Sequence, residues 1–467
     1  MSPTPEQEAR TKIDEMLVQA GWLVQDMKQV NLHVGRGIAI REFPLKSGHG
    51  EADYLLYVDG QAAGVVEAKP AGYTLTGVEI QSDKYKNGLP DALPAWFRPL
   101  PFCYQTTGIE SRFTSNLDPE PRSRQVYSFH RPETLATWID DSTTEKEVAA
   151  HRGVHWTPLT YRGRLRLMPP LRAEGLWPAQ VTAITNLEKS LAANRPRSLV
   201  QMATGSGKTF TAVSFIYRQL KFANARRVLF LVDRANLGRQ TLKEFQQYQS
   251  PYTPYKFTEE YIVNHLQSNR IDTTVRVCIC TIQRLYSILR GEELPLELEE
   301  ESLFDHASLF KEPQPVVYNP VIPPETFDLI ITDECHRSIY NLWRQVLEYF
   351  DSFLVGLTAT PSKQTFGFFN RNLVMEYGHE QAVADGVNVN YDVYRIRTRI
   401  TQAGSVVEAG HFVDLRERET RKVRWERLDE DLTYDPNQLD RDVVAMDQIR
   451  TVVRTFRDKV LTEIFPG

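Results

Sequence analysis

The sequence predicts an α/β protein in which a small domain built on a mixed sheet precedes a larger domain built on a parallel sheet. The first observation is length, because 467 residues exceed the roughly 100 to 200 residues of one domain and indicate two or three domains. The second is a strand-turn-strand pattern around Asp59-Gly60, and the third is a series of short apolar runs that begins after residue 171.

The composition is that of a globular chain, with 41% hydrophobic and 25% charged residues. No run approaches the ~18 apolar residues of a membrane span, and the N-terminal segment MSPTPEQEAR does not resemble a leader, so we expect a cytoplasmic protein. Cys278 and Cys280 alternate within VRVCICTI, which favours buried strand cysteines over half a zinc site. The formal net charge of −5 means that any DNA contact requires a local basic patch or a partner.

The small domain is predicted to begin with a helix and a hairpin. Ile13, Met16, Leu17 and Ala20 recur at helical spacing within residues 6–22, which predicts an amphipathic helix. The segments GIAIREFPL and EADYLLYVDGQAAGVVEAKP follow, and the second contains two β-rich arms joined by turn residues. Together these elements predict a small mixed α/β domain.

The larger domain is predicted from five apolar runs, SLVQMA, RVLFLV, VRVCICTI, FDLIIT and SFLVGLTA. Each run is short and apolar on both faces, which is typical of strands in a parallel sheet that is covered by helices. The acidic and proline-rich segment 292–325 interrupts this pattern, and we expect it to be a surface insertion.

Three arginines alternate in the segment YRGRLRLMPPL that precedes these runs. If the segment is a strand, Arg162, Arg164 and Arg166 share one face. Such a stripe could contact a phosphate backbone, or it could guard a solvated edge strand with charge.

A nucleotide-binding loop is indicated by QMATGSGKTF, which ends one apolar run and opens a helical segment. Glycines permit a tight turn, backbone amides at the helix N-terminus cradle phosphates, the lysine reaches the outer phosphates and the threonine ligates Mg²⁺. The full GxxxxGK[ST] pattern has glycine at position 202, where this chain has Met. The predicted nucleotide-binding residues are Thr204, Gly205, Ser206, Gly207, Lys208 and Thr209.

Two further motifs follow at the ends of the fourth and fifth apolar runs. In TDECHR, Asp333 is placed to hold Mg²⁺ through water and Glu334 to orient and deprotonate the attacking water, and we assign His336 to the same nucleotide site. In GLTATP, the hydroxyls of Thr358 and Thr360 can bond toward the acidic motif and couple its state to other parts of the protein.

The order of these motifs resembles the first motor domain of superfamily 2 helicases and translocases, whose parallel sheet is RecA-like. By that resemblance, LVDRANLGRQ and CTIQRL contact the nucleic-acid backbone through Arg234, Gln240, Thr281 and Arg284. The alternative is that these four are polar loop-end residues of an ordinary α/β sheet. Gln180 stands where the family reads adenine, although Trp177 and Ala179 replace the arginine and tyrosine of the usual pattern.

A second candidate site lies in the hairpin. Glu67 and Lys69 are two apart in a strand, so both heads project from one face. If the turn places residue 58 opposite 62, Asp53 falls opposite Glu67, whereas a tight turn that pairs 58 with 61 moves Glu67 to the other face. The site therefore requires a three-residue loop or a bulge near Gly60. Two carboxylates about 4 to 6 Å apart can bind Mg²⁺ for phosphodiester hydrolysis, assisted by a lysine.

This arrangement resembles the PD-(D/E)xK nuclease core. Gln81 and Tyr85 follow in QSDKY, four apart and so on one face of a predicted helix. A QxxxY element after ExK, together with an N-terminal helix that bears Glu8, resembles the nuclease domain of type I restriction endonuclease R subunits. By that resemblance Gln81 and Tyr85 support cleavage.

The resemblance implies ATP-dependent translocation of double-stranded DNA coupled to Mg²⁺-dependent cleavage, with ATP and Mg²⁺ as cofactors. It also implies modification (methyltransferase) and specificity subunits as partners, and no membrane. Type III subunits are similar in the motor but carry the nuclease after it, so the order of parts favours type I. The alternatives are a repair-type superfamily 2 helicase-nuclease and a nucleotide-switched DNA-binding module whose nuclease fold is inert.

These parts divide the chain into a nuclease domain over 1–155, a RecA-like motor domain over 156–385 and a connecting segment over 386–467, with a helix within 437–465. No GRxxR-like run follows residue 361 to supply an arginine finger, which is worth ~10³ to 10⁵ in rate. We therefore expect an N-terminal fragment that binds ATP weakly and hydrolyses it little.

Overall fold

The computed structural model describes residues 5–75, 85, 87–151, 160–292, 316–335, 344–391, 396, 405–410, 412–416, 423–435 and 446–464. The chain forms two compact units, Met1–Asn388 and Val389–Gly467. A bilayer-crossing helix would need a long apolar stretch, and no helix in the described part of the chain has one.

The first unit begins with a seven-stranded sheet whose strands follow one another in chain order. The strands are β1 Leu23–Asp26, β2 Gly37–Pro44, β3 Glu51–Val58, β4 Gln61–Ala68, β5 Phe102–Thr106, β6 Ser111–Ser115 and β7 Arg124–Val126. The pairs β1/β2 and β4/β5 are parallel and the other pairs are antiparallel. The sheet is therefore mixed, as predicted.

Helices α1 (Pro5–Gln19) and α2 (Pro132–His151) cover one face of this sheet, and a 3-10 turn spans Met27–Gln29. The predicted inward residues Ile13, Leu17 and Ala20 are fully buried there. A second apolar cluster, which includes Leu89, fills the opposite face. Burial on both faces explains why the central strands β3 and β4 are apolar along most of their length.

The second sheet of this unit is entirely parallel and has the order β10-β11-β9-β12-β13-β8-β14. Its strands are β8 Arg197–Met202, β9 Val228–Val232, β10 Val263–His265, β11 Val277–Thr281, β12 Leu329–Thr332, β13 Phe353–Thr358 and β14 Leu373–Tyr377. The five predicted runs form β8, β9, β11, β12 and β13, whereas β10 and β14 were not predicted. The predicted fold class is confirmed.

Helices cover both faces of the parallel sheet, and each face carries its own apolar core. They are α3 Tyr161–Arg164, α4 Pro178–Ala192, α5 Lys208–Lys221, α6 Ala235–Gln247, α7 Phe257–Glu260, α8 Ile282–Arg290, α9 Arg344–Glu348, α10 Lys363–Phe368 and α11 His379–Ala384, with 3-10 turns at Leu165–Leu167 and Pro324–Thr326. Cys278 and Cys280 are buried in β11, as predicted.

The described residues of the second unit form two antiparallel strand pairs and a helix. β15 Ser405–Val407 pairs with β18 Leu432–Tyr434, and β16 Phe412–Arg416 pairs with β17 Val423–Arg427. Helix α12 spans Met446–Lys459, within the predicted helical segment, and a π-helical turn follows at Val460–Ile464.

The segment that carries the three arginines is not a strand, so the condition for a shared arginine face is not met. Thr160 caps a short helix there by accepting a hydrogen bond from the Gly163 amide at 3.2 Å, so the three arginines do not share a strand face. The Arg162 guanidinium lies 4.3 Å from the centre of the Phe353 ring, and Arg166 pairs with Glu120 at 2.8 Å. Most of the predicted insertion, residues 293–315, lies outside the described residues.

A buried ion cluster joins the mixed sheet to the parallel sheet. Asp351, just before β13, accepts hydrogen bonds from Arg124 Nε at 2.7 Å and Nη2 at 2.9 Å. Its Oδ2 also lies 2.9 Å from His130 Nε2, while His130 Nδ1 lies 2.7 Å from the Tyr104 hydroxyl. With the ring proton on Nε2, His130 donates to Asp351 and accepts from Tyr104. The cluster therefore satisfies every polar group it contains.

The positive charge of Arg124 keeps the buried Asp351 carboxyl ionised. Burial alone would raise the pKa of Asp351, but Arg124 and the hydrogen bond from His130 outweigh it and hold that pKa well below its ordinary value. The ionised carboxylate therefore stabilises the folded state.

We expect Asp351→Asn to lower the free energy of unfolding by roughly 3 kcal/mol, because the largely buried Arg124 loses its nearest counter-charge and keeps only the longer contact with Asp118, at 3.7 Å. Asp59→Asn is the matched control, since the Arg36–Asp59 pair at 3.1 Å is solvent-exposed on both sides and Asn also suits a turn. Urea titration measures both variants. Because the pKa is depressed, the stabilisation is present above the unfolded value of about 4 and is lost as the pH falls through the folded value. A difference between wild type and Asp351→Asn that already closes between pH 7 and pH 5 would contradict this account.

Candidate functional site

The hairpin turn between β3 and β4 is tight. Val58 pairs with Gln61, which leaves only Asp59 and Gly60 in the loop. Their φ angles are 49° and 77°, the left-handed values that a two-residue turn of type I′ requires. Such a turn alone would put Glu67 on the face away from Asp53.

A β-bulge in β4 restores the facing arrangement. Tyr57 pairs with Ala62 but Leu56 pairs with Gly64, so Ala63 has no partner on β3 and the register shifts by one residue. Beyond the bulge Tyr54 pairs with Val66, and the same register sets Asp53 opposite Glu67. The bulge meets the condition that the sequence imposed.

The three hairpin side chains converge at the end of β4. Lys69 Nζ donates to Glu67 Oε1 at 2.5 Å, and Asp53 Oδ2 accepts a hydrogen bond from the Ala68 amide at 2.9 Å. Glu67 is 1% exposed, which is rare for a carboxylate. Tyr85 is buried in the apolar cluster on this face, close enough to Glu67 to act to lower the pKa of that carboxyl, whereas Gln81 lies outside the described residues.

Burial governs the electrostatics of this site. It raises the pKa of Glu67 and of Asp53, and the favourable contacts with Lys69, Ala68 and Arg10 only partly oppose it. Among the described residues, Glu67 Oε2 has no hydrogen-bond partner although it is buried. An orphaned carboxylate oxygen beside a second carboxylate is a donor set that suits a hard divalent cation.

The residues present fit a Mg²⁺ ion that is coordinated by few protein ligands. No cluster of three or more His, Cys, Asp or Glu side chains in ligand geometry occurs in the described part of the chain. Mg²⁺ commonly keeps several waters and takes only one or two carboxylates. Asp53 and Glu67 are therefore sufficient as the protein side-chain ligands.

Sequence reasoning missed Arg10. Its Nη2 lies 3.4 Å from Asp53 Oδ1, and its Nη1 contacts Glu42. It lies three residues before the buried Ile13 on α1, so it borders the inward stripe, and a charge in that position was the available signal. Glu8, which the sequence singled out, is exposed.

The nucleotide loop joins β8 to α5. Gly205 and Gly207 have φ of 83° and 78°, which favours glycine at both positions. Lys208 and Thr209 open α5, whose first amides point toward the loop. The buried Ser206 hydroxyl donates to Ala203 O at 2.6 Å, and Thr204 O accepts from Asn388 Nδ2 at 2.9 Å.

Gln180 contacts this loop directly. Its Nε2 lies 3.4 Å from Ser206 O and 3.5 Å from Gly207 O, and its Oε1 accepts from the Trp177 amide at 3.0 Å. The buried amide therefore ties the first turn of α4 to the loop. A side chain at position 207 would meet Gln180, since a Cβ there would lie 2.4 Å from Nε2.

The acidic motif faces the loop across one intervening strand. β12 leads to Asp333 and Glu334, and β13 separates it from β8. Glu334 Oε1 lies 3.9 Å from Lys208 Nζ. Burial, with the charge of Glu334, raises the pKa of Asp333 to about 6. His336 lies outside the described residues.

The coupling pair lies at the end of β13. Thr358 is fully buried, and its Oγ1 accepts from the Thr360 amide at 3.1 Å. Both residues therefore lie at the same edge of the sheet as the nucleotide loop and the acidic motif, because the carboxyl ends of parallel strands meet at one edge.

The four predicted DNA-contact residues differ in accessibility. Arg234 precedes α6 and lies 3.6 Å from Asp233, and Gln240 is exposed on α6. Thr281 is buried and caps α8 by accepting from the Arg284 amide at 3.1 Å. Arg284 is 3% exposed and contacts Asn269 Oδ1 at 3.4 Å. Of these four residues, Arg234 and Gln240 are accessible to a nucleic-acid backbone, whereas Thr281 and Arg284 are buried.

Gly207→Ala should displace Gln180 from the loop and lower nucleotide affinity at least about tenfold, the equivalent of one lost hydrogen bond. Gly175→Ala is the matched control, since Gly175 has φ of 79° and, among the described residues, no atom lies within 4 Å of its added Cβ. Both variants should lose roughly 1 to 2 kcal/mol of stability from left-handed strain. Titration with a fluorescent ADP analogue measures affinity. Equal affinity for Gly207→Ala and Gly175→Ala would show that Gln180 does not hold the loop.

Two family models match the chain. The model described as type III restriction enzyme, res subunit, matches residues 175–363. The model described as type I restriction enzyme EcoKI endonuclease subunit second domain matches residues 26–96. The two matches lie in the parallel-sheet and mixed-sheet regions, respectively.

Curated relatives and solved structures were also found. The EcoKI endonuclease subunit of Escherichia coli (strain K12) is 26% identical and the match covers 88% of this chain and 37% of that protein. The EcoAI endonuclease subunit of Escherichia coli is 29% identical over 60% of this chain and 30% of that protein. The chain thus spans about a third of the length of these relatives.

The structures include a nuclease-deletion mutant of the type ISP restriction-modification enzyme LlaGI in complex with a DNA substrate mimic. It is 18% identical over 48% of this chain and 21% of that chain, with a TM-score of 0.29. The Pyrococcus furiosus Hef helicase domain is 19% identical over 45% of this chain and 39% of that chain, with a TM-score of 0.30. By the sequence relatives and family models, the chain is similar to the endonuclease subunits of type I restriction enzymes.

Proposed function

We propose that the chain forms the nuclease and first motor parts of a type I restriction subunit, which translocates double-stranded DNA with ATP and cleaves it with Mg²⁺. The domain boundaries at residues 155 and 385 belong to this proposal. The observation that carries it is the bulge at Ala63, which turns Glu67 toward Asp53 and brings Lys69 to the same place. An ordinary hairpin has no need of two facing carboxylates, one of them buried.

The nuclease residues have separable tasks. Asp53 and Glu67 present carboxylate oxygens to one point, and Glu67 Oε2 is the oxygen without a hydrogen-bond partner among the described residues. A Mg²⁺ ion held there would polarise the phosphodiester and lower the pKa of a bound water. Lys69 can turn its ammonium from Glu67 toward the phosphate, where it stabilises the charge that develops during hydrolysis. Tyr85 closes the apolar side of the site near Glu67.

The motor residues are arranged for phosphoryl transfer. The loop amides and Lys208 bind the phosphates, Thr209 and Asp333 would hold Mg²⁺, and Glu334 orients the attacking water. Glu334 lies 3.9 Å from Lys208, so the water-orienting group and the phosphate-binding group border the same space. Gln180 acts here as the support of the loop, and it can report nucleotide binding from that position.

DNA recognition is assigned to partners in this proposal. The formal net charge is −5, which gives no long-range attraction to DNA. The relatives are named as endonuclease subunits of type I restriction enzymes. We therefore assign sequence recognition to modification (methyltransferase) and specificity subunits, and assign backbone contact during translocation to accessible residues such as Arg234 and Gln240.

Plasmid cleavage with ATP and Mg²⁺, with and without partner subunits, tests the assignment. Cleavage only with partners supports the type I function. Unwinding without partners would favour a repair-type helicase-nuclease instead. Intact DNA under both conditions would favour a nucleotide-switched DNA-binding module with an inert nuclease fold.

Lys69→Ala and Lys208→Ala should separate the two sites in the assembled enzyme. Lys69→Ala should reduce cleavage at least about 10²-fold while ATP hydrolysis persists, because it removes the charge that stabilises the phosphodiester during hydrolysis and the cation that pairs with Glu67, and both effects are confined to the hairpin site. Lys208→Ala should abolish both activities. Lys28→Ala is the control, since Lys28 is exposed in the same domain and away from the hairpin. Cleavage by Lys69→Ala at the rate of Lys28→Ala would refute the nuclease assignment.

A further inference from the structure

Three carboxylates stand in a row across neighbouring strands. Arg41 pairs with Tyr54 and Phe43 pairs with Ala52, and the pairing of β2 with β3 skips Glu42 between them. Arg10 contacts both Glu42 and Asp53, and the register of β3 with β4 sets Asp53 across from Glu67. Like charges on adjacent strands repel one another. The row therefore needs cations to be stable.

Two side chains supply those cations at different points. Lys69 pairs with Glu67 at 2.5 Å, whereas Arg10 bridges the other two carboxylates, with Nη2 3.4 Å from Asp53 Oδ1 and Nη1 in contact with Glu42. Glu6, one helical turn earlier on α1, is a more distant partner of Arg10 at 3.6 Å. Arg10 is therefore shared between a half-buried carboxylate and exposed ones.

The two carboxylate oxygens of Asp53 have different partners. Oδ2 accepts the Ala68 amide at 2.9 Å, so Oδ1 is the oxygen that the backbone leaves open, and it is the one that Arg10 contacts. A cation bound between Glu67 Oε2 and Asp53 would compete with the guanidinium for this oxygen. Two cations within hydrogen-bond distance of one carboxylate oxygen also repel each other.

Glu42 offers Arg10 an alternative partner. Its side chain is 58% exposed while that of Asp53 is 21% exposed, so the contact with Glu42 can persist after Asp53 is released. Glu42 also has a φ of 49° within a strand, a left-handed conformation that costs a non-glycine residue about 1 kcal/mol or more. Strain of this kind concentrates at functional sites.

We propose that Arg10 is a positioning residue that occupies Asp53 in the metal-free chain and transfers to Glu42 when a divalent cation binds. This inference rests on the proposed nuclease site, since it concerns the same carboxylates. Arg10 keeps Asp53 oriented before the metal arrives, and Glu42 retains the guanidinium at the rim of the site afterwards.

The two partners of this exchange should have opposite effects on metal affinity. Removing Arg10 removes the competitor, so the cation should bind more tightly. Neutralising Glu42 removes the alternative partner, so Arg10 should leave Asp53 less readily and the cation should bind more weakly. A residue that merely supports the fold would weaken binding when removed.

Calorimetric titration of the nucleotide-free 467-residue chain with MnCl₂, repeated with MgCl₂, tests the exchange. The Asp53→Asn chain supplies the blank that defines binding at this site. We expect about fivefold tighter binding for Arg10→Ala and about fivefold weaker binding for Glu42→Gln, the scale of one partly exposed ion pair. Arg36→Ala, which removes an exposed arginine that pairs with Asp59, should bind as wild type does.

The double variant Arg10→Ala/Glu42→Gln separates transfer from simple attraction of the metal by Glu42. If Glu42 acts through Arg10, the double variant should bind like Arg10→Ala alone. Weakening by Glu42→Gln that persists without Arg10 would overturn the proposal, as would equal or weaker binding by Arg10→Ala.

Arg10→Lys is a second variant for the case in which Arg10→Ala does not fold. Thermal melting checks the folding of both variants. A lysine contacts carboxylates as a point charge and cannot fork between two of them, so binding should be tighter than wild type by about twofold. Unchanged affinity in Arg10→Lys would count against the exchange. If wild type and Asp53→Asn bind metal identically, the proposed nuclease site itself fails, and this outcome differs from all of those above.

Discussion

The face on which a strand side chain lies depends on a count of residues, because side chains alternate with a period of two. Between the turn at Asp59-Gly60 and Glu67, one unpaired residue, Ala63, changes that count. Without it Glu67 would enter the apolar cluster that contains Tyr54 and the helices α1 and α2, where an ionised carboxylate is very costly. The pairing with Lys69, the facing Asp53 and the orphaned oxygen all depend on this single insertion.

The free-energy cost of burying a carboxylate is offset in different ways at Asp351 and at Glu67. Asp351 receives two hydrogen bonds from Arg124 and lies beside His130, and its pKa is held well below the ordinary value. Glu67 has a cation at one oxygen and no partner among the described residues at the other, and burial raises its pKa. A fully satisfied polar cluster fixes a structure, whereas a partly satisfied one suggests a ligand. By this difference, the Asp351 cluster is a structural joint between the two sheets, and the Glu67 carboxylate belongs to a candidate ligand site.

The sequence was sufficient for features that depend on local pattern. Five strands of the parallel sheet were predicted because burial on both faces leaves a continuous apolar run, and the loop before Lys208 was predicted because phosphate binding demands glycine there. Strand β10 is only three residues long and half-exposed, and β14 is half-buried at the sheet edge, so neither leaves such a run. The structure of the arginine segment from 162 to 166 could only be stated as a condition, because alternation over five residues fits a strand and also a short helix followed by a 3-10 turn.

The candidate site was predictable in its residues but not in its register. Glu67, Lys69 and Asp53 could be named from their spacing. The tight turn and the bulge, however, have opposite effects on which face of the sheet Glu67 occupies. The run of small apolar residues around Ala63 gives no sign of which residue is unpaired. Arg10 could not be placed because its contacts with Asp53 and Glu42 are 43 and 32 residues away in sequence. The strongest predictions therefore came from motifs whose chemistry is local.

The Asp351 cluster constrains how the mixed sheet and the parallel sheet can move relative to each other. Glu67 pairs with Gln105 in β5, and the neighbouring Tyr104 contacts His130, which contacts Asp351 at the start of β13. That strand ends at Thr358, beside the strand of the nucleotide loop. A shift of β13 would either break a buried ion pair, at a cost of several kcal/mol, or carry the mixed sheet with it. The second course avoids that cost, so the hairpin site moves with the parallel sheet. In the proposed function, a trigger for cleavage would therefore act on the carboxylate site or on the DNA, because the two sheets do not reorient.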